Sequence, residues 1–280
     1  MSLDLSAVGY KTDPSRFEYD WKAAVLYALG IGAGPAELDL LYEARGPRVF
    51  PTFPIAGAYP VMMQLIERAG ASFRNVVHTG QTIRIQRAPK PNGVLTTRGT
   101  LSGIYDLKRM ARLLFDTITE QDGEAVCTMQ WDLLVRDTGG FGGPRPPKAE
   151  TVGLPKEQAP AFELRQPTTP AQALIYRLSG DLNPLHADPE LAHSVGFPQG
   201  PILHGLCTLG FIARAVVEAT CERDERRLRG ISMQFKKPVW PGEFICTTGY
   251  CLGPNQLALT ATAADRPDQI IGNAWAEILN

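Results

Sequence analysis

The sequence carries little net charge and few cysteines. Its 28 basic and 29 acidic residues leave a formal net charge of -1. Such a balance gives no general attraction to nucleic acid or to an anionic membrane, so neither is expected as a partner. The five cysteines include no C-x-x-C pair and no zinc-like spacing with histidine. An odd number of thiols favours a reducing compartment over a disulfide scaffold.

Targeting and membrane-spanning segments are also missing from the sequence. Residues Met1 to Ser6 contain no basic stretch before an apolar core, so no secretory signal is expected. No apolar run approaches the roughly 20 residues that span a bilayer. The end of the sequence, Ile278 to Asn280, differs from a Ser-Lys-Leu peroxisomal address. These absences predict a cytoplasmic protein with no membrane partner.

A segment rich in glycine and proline separates two parts of similar length. It begins with Gly139-Gly140-Phe141-Gly142-Gly143-Pro144 and stays polar, with further prolines, to Pro160. Glycine and proline at this density oppose regular structure. We therefore expect one domain over residues 1–138, a linker over 139–160 and a second domain over 161–280.

The two parts share an order of predicted elements, a helical region followed by four strands. Apolar residues recur every three or four positions in the predicted helices, and the strand-like runs are separated by turn residues. This order predicts an α+β fold in which a helix lies on an antiparallel sheet, repeated twice. The predicted helices are 21–29, 58–69, 171–178, 188–196 and 205–221; the predicted strands are 76–87, 93–105, 111–120, 124–135, 229–235, 243–252, 256–264 and 270–279.

A short loop in the second part brings together residues that can perform acid/base chemistry. A predicted helix ends at Gly180, and Asp181, Asn183 and His186 follow, with Pro184 restricting the loop. A carboxylate, a carboxamide and an imidazole so close together can converge on one small polar molecule such as water. Asp, Asn and Pro are also ordinary turn residues, an interpretation that suffices until His186 is considered.

The stretch from Gly200 to Leu206 contains a second candidate feature. A helix is predicted to begin at Gly205, where the first N–H groups have no partner within the helix. Because glycine lets a ligand approach the backbone closely, this N–H can stabilise a developing oxyanion. A glycine needed only for close packing on the sheet is the alternative interpretation.

These residues resemble the signature of a known family, hydratase 2 of the MaoC-like dehydratases. The resemblance extends to blocks in the first part, so it covers nearly the whole chain. The similar segments are Tyr176-Arg177-Leu178-Ser179-Gly180-Asp181, Asn183-Pro184, His186, Gly196-Phe197-Pro198, Ile202-Leu203-His204-Gly205, Tyr27 to Ala33, Leu41 to Glu43, Phe50 to Phe53, His78 to Gln81, and Gly139 to Gly143.

The resemblance implies a fold, a reaction and a set of roles. The fold would be a double hot dog, and the reaction the reversible syn addition of water to a trans-2-enoyl-CoA, giving a (3R)-3-hydroxyacyl-CoA. Asp181 and His186 would hold and activate the water, Asn183 would orient it, and the Gly205 N–H would support the thioester oxygen. No metal and no redox cofactor are needed.

The first repeat lacks an acid/base loop, and the resemblance implies that it makes room for the acyl chain. Phe53, Tyr59, Met63, His78 and Lys237 are therefore expected to bind substrate, Lys237 through the CoA phosphates. Each has an ordinary alternative. Core packing explains the aromatic and Met stripe, a turn or packing role explains the histidine, and a solvated surface explains the lysine.

Two other functions stay open at this point. A hot-dog thioesterase would cleave the thioester, and a non-catalytic protein would only bind acyl-CoA. The acid/base loop before a helix that begins with glycine favours the hydratase. The expected partner is an enoyl-CoA or 3-hydroxyacyl-CoA, and a homodimer is the candidate assembly.

Overall fold

The computed structural model describes residues 2–279, which form two repeats built on one sheet. The elements of the first repeat are β1 (Ser15–Tyr19), α1 (Trp21–Gly30), α2 (Leu38–Leu41), α3 (Ile55–Arg68), β2 (Val76–Ile85), β3 (Gly93–Asp106), β4 (Met110–Gln121) and β5 (Glu124–Arg136). Those of the second are β6 (Phe162–Pro167), α4 (Gln172–Tyr176), α5 (Pro189–Ser194), α6 (Gly205–Thr220), β7 (Leu228–Phe235), β8 (Phe244–Cys251), β9 (Gln256–Ala263) and β10 (Arg266–Ile278).

The ten strands follow the order β1-β3-β4-β5-β2-β7-β10-β9-β8-β6. Strands β6 to β10 of the second repeat correspond in turn to β1 to β5 of the first, and they occur in the reverse spatial order. The two repeats therefore meet at one strand pair. That pair is β2 and β7, which run antiparallel with Gly80 opposite Gln234 and Arg84 opposite Gly230. A hydrogen bond of 2.7 Å joins the hydroxyls of Thr82 and Ser232 across the junction.

Each repeat places one long helix against the sheet. Helix α6 is buried at every position from Leu206 to Val217, as expected of a helix that is apolar on nearly all sides. Small residues allow the close approach of the elements. A Cβ on Gly210 would lie 2.3 Å from Ile31, and one on Gly99 in β3 would lie 2.5 Å from Val61 in α3. The predicted α+β arrangement, a helix on an antiparallel sheet in each half, is therefore confirmed.

The sequence-based prediction of four strands in each half is wrong by one strand. Strands β1 and β6 precede the first helix of their repeats and pair with β3 and β8. Both are short, and each has a single buried residue, Tyr19 in β1 and Gln166 in β6. Such edge strands bury little apolar surface, so the strand signal in their sequence is weak.

Residues 139–160 contain neither helix nor strand and contact both repeats. Gln158 donates a hydrogen bond of 3.0 Å to the Cys251 carbonyl of β8. Arg112 donates a hydrogen bond of 2.9 Å to the Pro147 carbonyl, and Arg84 forms an ion pair of 2.8 Å with Glu150. Among the described residues, no helix is both long enough and apolar enough to cross a membrane.

Candidate active site

Hydrogen bonds between side chains and backbone N–H groups within the acid/base loop hold its conformation. Helix α4 gives way to a 3-10 turn that ends at Gly180, whose φ of 119° suits only glycine. The Asp181 carboxylate then accepts a hydrogen bond of 3.2 Å from the Asn183 N–H. Asn183 in turn caps the 3-10 turn Pro184–His186, because its side-chain oxygen accepts from the Leu185 N–H at 3.1 Å. The helix predicted over 171–178 is shorter in the structure, where α4 spans Gln172–Tyr176. The two hydrogen bonds hold the loop after Gly180 in one conformation.

His186 is buried and has one ring nitrogen committed to the backbone. Its side chain is 8% exposed, and Nδ1 lies 2.8 Å from the Ile202 carbonyl oxygen. A carbonyl only accepts, so Nδ1 carries the proton and donates it. Burial lowers the pKa of His186, although the Asp181 charge opposes that effect. A neutral ring with a free Nε2 lone pair results, which is the form of a general base.

His204 lies directly against this base. It is 1% exposed and precedes the first residue of α6. The two imidazole rings stack with centroids 3.7 Å apart and an angle of 27°. His204 Nε2 donates to the Asp181 backbone carbonyl at 3.1 Å. Its Nδ1 is buried without a hydrogen-bond partner among the described residues. Burial, and after it the His186 charge, lower the pKa of His204 well below its usual range.

Asp181, His186 and His204 converge. One ligand atom from each lies within 4.8 Å of the others, a spacing that could hold a metal ion. The same three groups suit acid/base chemistry, because a carboxylate faces a neutral imidazole.

Gly205 is the first residue of α6, as the sequence predicts. A Cβ at this position would lie 3.2 Å from the Phe235 ring, so glycine allows close packing of Phe235 against the helix start. The N–H groups of the first helical turn have no intrahelical acceptor and lie at the positive end of the helix dipole. This helix start is therefore suited to a negatively charged oxygen.

His78 of β2 reaches the same region from the first repeat. Its ring meets Phe235 edge to face at 5.2 Å and stacks on Trp131 at 5.5 Å. The Nε2 atom lies 3.0 Å from the Gly80 carbonyl oxygen. Burial lowers the pKa of His78 to about 4, against smaller opposing effects of Asp181 and Asp132. His78 is thus a neutral ring at the junction of the repeats.

The other candidate substrate-binding residues lie on α3, just before α3 or just after β7. Phe53 is 1% exposed in a core cluster with Tyr19 and Tyr27. Met63 is partly buried on α3. Lys237 is exposed, two residues beyond Phe235 at the end of β7. Tyr59 of α3 is partly buried, and burial, followed by the Asp181 charge, raises its pKa.

Three neighbours of the site were not among the predicted site residues. His204 stacks on His186, Tyr176 packs against His204 with ring centroids 4.9 Å apart, and Phe235 faces Gly205. Two of them had a signal in the sequence: His204 directly precedes Gly205, and Tyr176 lies in the segment that leads to Gly180. Phe235 had none, because only strand pairing between the repeats brings it to the site.

Two hot dog repeats with one acid/base loop define the class of protein, and comparison with known proteins agrees with it. Residues 17–137 match the MFE-2 hydratase 2 N-terminal domain family, and residues 152–266 match the MaoC like domain family. A probable enoyl-CoA hydratase 2 of Dictyostelium discoideum is 34% identical over 92% of this chain and 90% of its own length. The chain belongs to the MaoC-like hydratase 2 family.

Solved structures confirm the double hot dog fold. A MaoC-like dehydratase from Phytophthora capsici superposes with a TM-score of 0.87 at 29% identity, covering 99% of this chain and 98% of that one. A Mycobacterium tuberculosis protein described as a double hotdog has a TM-score of 0.61 at 12% identity, over 97% and 96% of the two chains. The second likeness concerns the fold alone.

Proposed function

We propose that this protein catalyses the reversible syn hydration of a trans-2-enoyl-CoA to a (3R)-3-hydroxyacyl-CoA. The observation that carries the proposal is the convergence of Asp181, His186 and His204, whose ligand atoms lie within 4.8 Å of one another just before the start of α6. An acid/base pair beside an oxyanion site is the arrangement that addition of water to an enoyl thioester requires.

The pair acts on one water. In the hydration direction the carboxylate of Asp181 and the free Nε2 of His186 bind the water and accept its proton as oxygen attacks C3. The proton then passes to C2 on the same face of the alkene, because acid and base lie on one side of the substrate. The Asn183 oxygen caps a turn, so its side-chain NH₂ is the group that orients the water.

Charge that develops on the thioester oxygen is stabilised at Gly205. Attack at C3 pushes electrons through C2 to the carbonyl as an enolate, and the helix-start N–H donates to that oxygen. One such donor contributes about 3 kcal/mol in other enzymes.

The two repeats have different roles in the proposed reaction. Residues 161–280 form the catalytic repeat and residues 1–138 the repeat that accommodates the acyl chain, with 139–160 as the linker. Met63 lines the acyl site. The neutral His78 ring lies beside Phe235 at the edge of that site, and Phe53 supports the site from the core. Lys237 is exposed and can reach the phosphates of CoA. The enzyme works in the cytoplasm, and a homodimer is its assembly.

Crotonyl-CoA distinguishes this function from its rivals. A hydratase removes the enoyl absorbance without releasing free CoA, and chiral analysis gives the (3R) product. A thioesterase releases the CoA thiol, and a binding protein changes neither signal. Thiol release without loss of the enoyl group, or the (3S) product, contradicts the proposal. The acid/base loop favours hydration, since a neutral imidazole and a carboxylate face one position.

A further inference from the structure

The cluster of Asp181, His186 and His204 contains the kinds of ligand that a zinc ion uses in proteins. Two imidazoles and one carboxylate are a known ligand set of zinc sites that keep a fourth position for water. Tetrahedral bonds of about 2.0 to 2.1 Å place such ligand atoms about 3.4 Å apart. One ligand atom from each residue of the cluster lies within 4.8 Å of the others, so the atoms need to close by up to about 1.4 Å around an ion.

Each imidazole of the cluster is oriented through one of its two nitrogens. His186 Nδ1 donates to the Ile202 carbonyl oxygen at 2.8 Å, and His204 Nε2 donates to that of Asp181 at 3.1 Å. A histidine that binds a metal usually donates its other N–H in this way, to a backbone carbonyl or a carboxylate. The remaining nitrogens, His186 Nε2 and His204 Nδ1, keep their lone pairs for a ligand.

The free nitrogen of His204 is a second, independent observation. The residue is 1% exposed, and its Nδ1 is buried without a hydrogen-bond partner among the residues that the structure describes. Buried polar atoms in proteins almost always have a partner, and one without a partner calls for an explanation such as a water or an ion. The proposed hydration uses the lone pair of His186 and gives that of His204 no role. An ion bound to both rings uses both lone pairs.

Protonation and ligand type favour zinc over other common divalent ions. Burial lowers the pKa of both His186 and His204, so both rings are neutral at pH 7, the form that binds a metal. The carboxylate of Asp181 supplies negative charge. Because Mg²⁺ and Ca²⁺ take oxygen ligands whereas imidazole suits Zn²⁺, a site with two nitrogen ligands selects zinc.

Two further buried atoms without a partner lie on the turn before Gly180, Arg177 Nε and Ser179 Oγ. An arginine has donors only and cannot bind a cation. After burial and the His186 charge, the Arg177 charge also lowers the pKa of His204, so the guanidinium opposes a cation at this place. An ordered water shared by these atoms and His204 Nδ1 is the competing explanation.

We propose that Asp181, His186 and His204 form a binding site for Zn²⁺, and that zinc bound there inhibits the enzyme. The ion takes the lone pairs of Asp181 and His186, so neither group accepts a proton from the attacking water. The metal site itself is independent of the reaction, whereas its inhibitory effect rests on the proposed hydration.

Titration calorimetry of metal-free protein with Zn²⁺ measures the site directly. We expect one ion per chain, and no binding heat from Mg²⁺. Co²⁺, which the same ligands bind, adds a visible absorption that Zn²⁺ should displace. Zn²⁺ should also lower kcat for crotonyl-CoA in proportion to the occupancy of the site, and a chelator should restore it.

The variant His204→Gln keeps an amide N–H for the Asp181 carbonyl and loses the imidazole. Its Kd for Zn²⁺ should rise at least about tenfold, since even residues behind the ligands change metal affinity by that factor. His186→Gln should do the same. Arg177→Gln removes a positive charge and should lower the Kd. His193→Gln is the matched control, because His193 is exposed on α5, outside the cluster.

Three results overturn the inference: no zinc binding by the wild type, the wild-type Kd in folded His204→Gln or His186→Gln, and loss of binding in His193→Gln. Undiminished turnover with the site filled overturns its inhibitory part. A wild type that binds zinc through this cluster but leaves crotonyl-CoA unhydrated overturns the proposed function and supports the metal site.

Discussion

The imidazole rings of His186 and His204 stack with their centroids 3.7 Å apart. The two residues reach this contact from different elements, the loop after α4 and the residue before α6. His204 also donates to the Asp181 backbone carbonyl at 3.1 Å. The buried His204 ring thus contacts both proposed catalytic residues: its face packs on the His186 ring, and its N–H binds the main chain of Asp181.

The first prediction concerns that buried donor. His204→Leu should lower kcat at least about tenfold, because the Asp181 carbonyl loses its donor in a buried place. His204→Gln carries an amide N–H at a comparable reach and should recover most of the activity. Steady-state kinetics on crotonyl-CoA, with urea unfolding of each variant, provide the measurement. Equal activity of the Leu and Gln variants would show that the hydrogen bond to Asp181 has no role.

The second prediction concerns Gly205. A methyl group in Gly205→Ala would lie 3.2 Å from the Phe235 ring, so the ring or the helix start must shift to accommodate it. We expect kcat to fall about 10²-fold, the scale of one oxyanion donor. The double variant Gly205→Ala with Phe235→Leu tests the cause. Crowding alone predicts recovery in the double variant, whereas a blocked oxyanion site predicts none.

The third prediction concerns stability against pH. Burial lowers the pKa of His186 and His204, and that of His78 to about 4, below the ordinary value near 6.5. Between these values the unfolded chain binds more protons than the folded one. The free energy of unfolding therefore falls as pH falls from about 6.5 towards 4, by up to about 1.4 kcal/mol per pH unit for each histidine.

Urea unfolding between pH 8 and pH 5 measures this slope. His204→Gln removes one buried histidine and should flatten it. His193→Gln is the control, because His193 is exposed on α5 and its replacement should leave the slope unchanged. A flat wild-type curve across this range would mean that the buried histidines do not govern acid sensitivity.

The fourth prediction concerns chain length. If the first repeat holds the acyl chain, activity extends to enoyl-CoAs longer than about eight carbons, with each buried CH₂ adding up to about 0.8 kcal/mol. Met63→Trp should then reduce kcat/KM for long substrates and spare crotonyl-CoA. Ala58 is 0% exposed, so a Trp there would have to enter the filled core, and Met63 is the better probe.

Gln64→Trp serves as the control for bulk on α3, because Gln64 is exposed. It should leave the dependence on chain length unchanged. Equal losses on short and long substrates in Met63→Trp would identify the first repeat as scaffold. A cut-off at four carbons in the wild type would show that no acyl tunnel exists.

The sequence predicted the parts of the site that are local in the chain. Gly180 ends a helix, Pro184 begins a turn and Gly205 begins a helix, all as expected from residue preferences. The apolar spacing of α6 likewise predicted the central helix of the second repeat. Local patterns succeed here because each is decided within one or two turns of backbone.

Contacts between the repeats could not be predicted in this way. The approach of Gly180 to Ala56 and the contact of His78 with Phe235 depend on the pairing of β2 with β7. The edge strands β1 and β6 were missed for a related reason, since pairing rather than burial defines them.

The central claim is that Asp181 and His186 form the acid/base pair of an (R)-specific hydratase. The most direct test is turnover of crotonyl-CoA by the wild type, Asp181→Asn and His186→Ala, with circular dichroism to verify the fold. The account predicts a (3R) product from the wild type and a fall in kcat of at least about 10²-fold in each folded variant. Near-wild-type turnover by either folded variant would contradict it.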